Sequence, residues 1–96
     1  AVGAVGVVSV ASHLVGRRIA AMINDYLQGA VEKAARAHCE LLPLFKTLFL
    51  TTNPIMVKAA LNLLGVKVGS TRLPLVDATA AELDALKEVL RGVGLL

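Results

Sequence analysis

Apolar residues run almost unbroken through the start of the chain, AVGAVGVVSVAS, where Ser9 is the one position of the first ten that is not Val, Ala or Gly. No polar residue alternates with them, so the pattern is that of a β-strand buried on both faces, expected over Val5–Val10. From Ser12 the period changes. Val15, Ile19, Met22, Ile23 and Tyr26 fall at i, i+4, i+7, i+8 and i+11, while Arg17, Arg18, Asn24, Asp25 and Gln28 take the other side. That spacing predicts a helix over Ser12–Gln28, with Ser12 as N-cap and Gly29 as the C′ stop.

A second helix is expected over Ala30–Leu50, its apolar stripe made by Val31, Ala34, Ala35, Leu41, Leu42, Phe45, Leu48 and Phe49. Pro43 lies inside it, lacks a backbone N–H and crowds the carbonyl of Cys39, which predicts a kink there. In TTNPIMVKAALNLLG, Asn53 is placed to cap, Pro54 suits the first helical position and Gly65 closes the helix Pro54–Leu64. VKVGSTRLPL then reads as a loop broken by Gly69 and Pro74. In the last helix, Thr79–Gly92, Thr79 and Glu82 have capping-box spacing, and Leu83, Leu86, Leu90 and Val93 form one stripe. The count is one strand and four helices, a mainly α chain. Val66–Val68 is too short to pair with the strand, whose ladder partners are therefore expected outside this sequence.

Composition narrows the function classes. Ninety-six residues suit one small domain, and 56% hydrophobic content is high for it. The net charge of +3 is spread from Arg17 to Arg91, and the aromatics are three: Tyr26, Phe45 and Phe49. Nucleic-acid binding wants a concentrated basic face, so that class is set aside. The uncharged run Ala1–Gly16 is shorter than the roughly 20 residues of a spanning helix, and it lacks the basic flank of a secretory signal. One cysteine, Cys39, excludes an intrachain disulfide and fits a reducing, cytoplasmic compartment.

Five positions are candidates for chemistry. Cys39 as a nucleophile needs a base, and His38 beside it points elsewhere on a helix, so a packed small residue is the expectation. His13 and His38 complete no metal-ligand spacing. Lys58, among Val57, Ala59, Ala60 and Leu61, could form a Schiff base if desolvated, but a lysine that snorkels or pairs is the commoner outcome. Arg72 could clamp a carboxylate, or tie chain ends together in its loop. These residues together make no catalytic constellation.

Three stretches carry a resemblance: GVVSVASH at Gly6–His13, NPIMVKAALNLLG at Asn53–Gly65 and RLPL at Arg72–Leu75, with a terminal GLL. Together they resemble the C-terminal third of the dihydrodipicolinate synthase family, from about Gly3 to Leu96. The family's middle motif is N-P-I-P-V-K; Met56 stands here for the second proline. The resemblance implies a (β/α)8 barrel followed by a helical domain. Residues 1–29 would then be the last barrel strand and helix, and residues 30–96 the appended domain. A complete barrel takes about 250 residues, so this chain cannot close one.

The family's activity, again as implied, is a carbon–oxygen lyase of class I aldolase type. It condenses pyruvate with aspartate semialdehyde on the path to diaminopimelate and lysine, without a cofactor. The Schiff-base lysine, the relay tyrosine and the carboxylate-binding arginine lie outside this stretch. The segment is thus expected to be structural and inactive alone, within a cytoplasmic homotetramer. The one site residue it places here is Val8, whose backbone carbonyl faces that lysine. Alternatives are a sibling aldolase (an N-acetylneuraminate or keto-deoxy-sugar lyase) and a non-enzymatic helical interaction module.

Overall fold

The computed structural model describes residues 2–96. Four helices follow in chain order: α1 Ser12–Leu27, α2 Val31–Thr47, α3 Ile55–Leu63 and α4 Ala80–Gly92. All four expected helices form. The expected strand does not: Val2–Val8 has no regular structure, and Val5 and Val8 are fully exposed. A strand exists only by pairing, and the helices that follow offer no ladder edge, so the apolar run stays extended and unpaired.

Helix ends show where spacing rules held and where they slipped. Thr79 caps α4 as expected: its Oγ1 accepts from the Glu82 N–H at 3.3 Å, and Glu82 Oε2 accepts from the Thr79 N–H at 2.7 Å. Gly29 and Gly65 both sit at positive φ, 86° and 85°, where a side chain would be strained. At Gly65 the Val66 N–H reaches back to the Leu61 carbonyl (2.9 Å) and the Gly65 N–H to that of Asn62 (3.1 Å), a Schellman closure. By contrast Ala11, not Ser12, is the N-cap of α1, and Pro54, not Asn53, that of α3; neither contributes a side-chain cap bond. Pro43 lies inside α2 without dividing it. The departure from helical dihedrals falls at Val15 in α1, with φ −127° and ψ 28°.

Every helix contributes to one core. Val15 and Ile19 of α1 meet Leu41 and Leu44 of α2, Met56, Val57 and Ala60 of α3, and Leu86 and Leu90 of α4. Leu41, Leu44, Leu48, Met56, Leu86 and Leu90 are completely buried. Met56 thus fills core space with a flexible thioether at the position where the family motif has a proline. Part of the first two predicted stripes faces outward instead: Ile23 and Tyr26 on α1, Val31 at the start of α2 and Phe49 beyond its end are exposed. α2 stops at Thr47, three residues earlier than expected. Arg18 of α1 fastens the assembly from outside the core, donating to the Val93 carbonyl at 2.8 Å and to Glu40 at 3.3 Å.

Candidate functional site

Two regions carry the residues singled out by sequence. The first is the loop between α3 and α4. Lys58 projects from the first turn of α3, and its Nζ donates to the Ser70 carbonyl at 2.6 Å. One turn on, Asn62 Nδ2 donates to the Gly69 carbonyl and Asn62 Oδ1 accepts from the Val68 N–H, each at 3.0 Å. The far end of the loop is held by Asp77, whose Oδ1 accepts from the Thr71 N–H (2.8 Å) and hydroxyl (2.9 Å). Those two bonds, aided by the Lys58 charge, hold the Asp77 carboxyl below its ordinary pKa. Lys58, Asn62, Gly69, Ser70, Asp77 and Leu83 surround an open depression of about 330 Å³.

Chemically this arrangement is a brace. The Lys58 ammonium is committed to a backbone carbonyl, which leaves it unsuited to attack a substrate carbonyl. Arg72 sits exposed at the outer bend of the loop. Asn62 and Asp77 passed unnoticed in the sequence. An Asn one turn after a helical Lys, with a Gly-Ser-Thr stretch ahead, was the signal available, because short polar side chains tie loops to backbone.

The second region is the approach to α1. Ser12 Oγ donates to the Ser9 carbonyl at 2.6 Å, and Ser9 Oγ accepts from the Ser12 N–H at 3.2 Å. His13 Nδ1 lies 3.0 Å from the Val10 carbonyl, so it carries the proton. His38 is remote from this turn and packs its ring 5.8 Å from that of Phe45. Cys39 is exposed rather than packed, since it falls on the outer side of α2. Val8 lies just before the Ser9–Ser12 turn, exposed and apart from Lys58 and Arg72, so this chain gathers the predicted residues into no single cluster.

The fold and motifs have a close match among known proteins. The model of the Dihydrodipicolinate synthetase family matches residues 1–92, and the chain belongs to that family. It is 60% identical over its whole length to the 4-hydroxy-tetrahydrodipicolinate synthase of Thermosynechococcus vestitus, and 56% identical over 94 residues to that of Heliobacterium modesticaldum. It spans about a third of the length of these relatives, 32% and 31% respectively. Among solved structures it resembles the Cyanidioschyzon merolae enzyme with lysine bound (TM-score 0.94, 48% identity) and the Thermotoga maritima enzyme (TM-score 0.94, 44% identity). Each match covers 98% of this chain and 32% of the other. No helix among the described residues is long and apolar enough to cross a membrane.

Proposed function

We propose that this chain is the C-terminal third of a 4-hydroxy-tetrahydrodipicolinate synthase, divided near Gly29 into the last unit of a (β/α)8 barrel and an appended helical domain. The observation that carries this is 60% identity sustained over the full chain to one such enzyme. The complete protein would be a cytoplasmic, homo-oligomeric lyase. Its lysine amine would condense with the keto carbon of pyruvate and expel water. The resulting enamine would then attack the aldehyde of aspartate semialdehyde. That lysine, with its tyrosine and arginine helpers, belongs to the part of the protein beyond this chain.

Within the segment, two roles follow. The brace of Lys58, Asn62 and Asp77 keeps the helical domain in shape and takes no part in the chemistry. The Val8 carbonyl, at the C-terminal end of what would be the eighth barrel strand, is a fixed dipole that accepts a hydrogen bond from the Schiff-base lysine; barrel active sites lie at that end. The unstructured Val2–Val8 would become a strand once neighbours on both sides supply its ladder.

The test is made on the complete protein. Borohydride with pyruvate should trap one adduct per chain, on a lysine other than Lys58, and aspartate semialdehyde should be consumed in turnover. Val8→Pro should cripple turnover by breaking strand pairing and shifting the carbonyl. Turnover with N-acetylneuraminate or a keto-deoxy sugar, and none with aspartate semialdehyde, would assign a sibling aldolase instead.

A further inference from the structure

The turn that leads from the Val-rich segment into α1 uses up its carbonyls in order. The Ser9 carbonyl accepts the Ser12 hydroxyl at 2.6 Å. The Val10 carbonyl accepts the His13 N–H at 3.3 Å and the His13 ring at 3.0 Å. The Ala11 carbonyl accepts the amides of Leu14 and Val15 at 3.0 and 2.9 Å. Among the described residues none donates to the Val8 carbonyl, which is therefore the last one before the turn that remains open to a partner.

Ser9 is gripped at two points, both by Ser12. Its Oγ accepts from the Ser12 N–H and its carbonyl from the Ser12 hydroxyl. Fixing the side chain and the carbonyl of one residue fixes its Cα, Cβ and C atoms, and tetrahedral geometry then fixes its nitrogen. One rotation, about the Ser9 N–Cα bond, is left between this clamp and the plane of the Val8 carbonyl. The Ser12 hydroxyl thus controls a group it does not touch.

We propose that Ser12 is a positioning residue of the Schiff-base site: through Ser9 it aims the Val8 carbonyl at the lysine that binds the keto acid. The inference rests on the lyase reading above and adds to it the side chain that sets the aim. The clamp is complete in the described residues even though the strand before it is unpaired, so it leaves only the rotation about the Ser9 N–Cα bond for strand pairing in the barrel to set.

The experiment uses the complete protein, pyruvate as probe, and borohydride trapping followed over pH. Ser12→Ala should slow adduct formation roughly tenfold, the scale of a modest misalignment at a reacting centre. It should also move the pH midpoint of trapping downward, because a carbonyl that no longer faces the ammonium stops stabilising its charged form. Ser12→Thr, which keeps the hydroxyl, should recover most of the rate. Ser12→Ala removes the shorter grip; if it does not fold, Ser9→Ala removes the other, the longer bond of 3.2 Å, and should give the same changes in smaller measure. A Ser12→Ala or Ser9→Ala protein that traps pyruvate at the unsubstituted rate and pH midpoint overturns the positioning role alone. Failure of the unsubstituted protein to trap pyruvate removes the lyase reading, and the positioning role with it.

Discussion

Asn62→Ala is a sharp probe of the loop brace, because it deletes two hydrogen bonds and opens no cavity. Asn62 is exposed on α3, and the Cβ that remains is all the packing the site needs. The lost bonds are those to the Gly69 carbonyl and from the Val68 N–H, both 3.0 Å. A net contribution of about 0.5–1.5 kcal/mol is usual for one such bond, and the lower half applies where the freed groups meet water, giving about 1–2 kcal/mol for the pair. Alanine's higher helix propensity returns up to about 0.5 kcal/mol. The loop should therefore open more readily by about 0.5–2 kcal/mol, roughly two- to thirtyfold in equilibrium constant. Native-state hydrogen exchange reads this residue by residue. The Val68 amide should exchange faster by that factor, while the amides of Leu86 and Leu90 in α4 change less than about twofold, as a local opening requires. Unchanged exchange at Val68, or an equal loss throughout α4, would refute the assignment of these bonds as a local brace.

Four further outcomes are expected. Leu86→Ala truncates a fully buried core residue and should cost about 2–5 kcal/mol in urea unfolding, a large share of the stability of so small a domain; a loss below about 1 kcal/mol would contradict the packing described. Asp77 is held below its ordinary pKa by Thr71, so its stabilisation is full above the ordinary carboxylate value near about 4 and is lost as pH falls through the lower folded-state value. The urea midpoint should drop in that acid range and drop less in Asp77→Asn; identical acid limbs would count against the bond. Borohydride with pyruvate should leave Lys58 of the isolated chain unmodified by intact mass, and a stoichiometric adduct there would show that its bond to Ser70 does not hold it. With Val2, Val5, Val7, Val8 and Leu27 exposed, the isolated chain should associate with rising concentration in sedimentation velocity; a compact monomer with protected Val5–Val10 amides would overturn this.

The helices were legible because each carries its own signal. Thr79 and Glu82 at capping-box spacing, or Gly65 after an apolar stripe, need only neighbours within a turn or two. What failed was whatever depended on distant chain. Val5–Val10 has strand composition, yet composition cannot supply a ladder. Val31, Phe49, Ile23 and Tyr26 sit on apolar stripes, but periodicity reveals which residues share a face and not whether anything covers it. The slips at Ser12 and Asn53 are a register of one residue: the turn Ser9–Ser12 brings Ser12 inside α1, and α3 begins after Pro54 rather than on it. For the site, the motif stretches pointed to Lys58, Arg72 and Val8, of which Lys58 proves to be tied to the loop and Val8 stands exposed. The partners of Lys58 could not be foreseen, because nothing local says that a lysine on α3 will meet the carbonyl of Ser70, twelve residues away.

The bond from Arg18 to the Val93 carbonyl joins positions 75 apart in sequence. On a ribosome adding about 5–20 residues per second, Arg18 therefore precedes its acceptor by roughly 4–15 seconds. Helices form in about a microsecond, so α1 and α2 have ample time to pair while α4 is still being made. During that interval the Arg18 guanidinium has Glu40 as its available ion-pair partner. The last helix then arrives at a surface already in place, and the arginine that was waiting on α1 receives its C-terminal carbonyl. The same order makes α4 the element most easily left undocked when synthesis is interrupted. A nascent chain stalled before Val93 would show Leu41 and Leu44, buried in the finished molecule, to any chaperone or protease within reach.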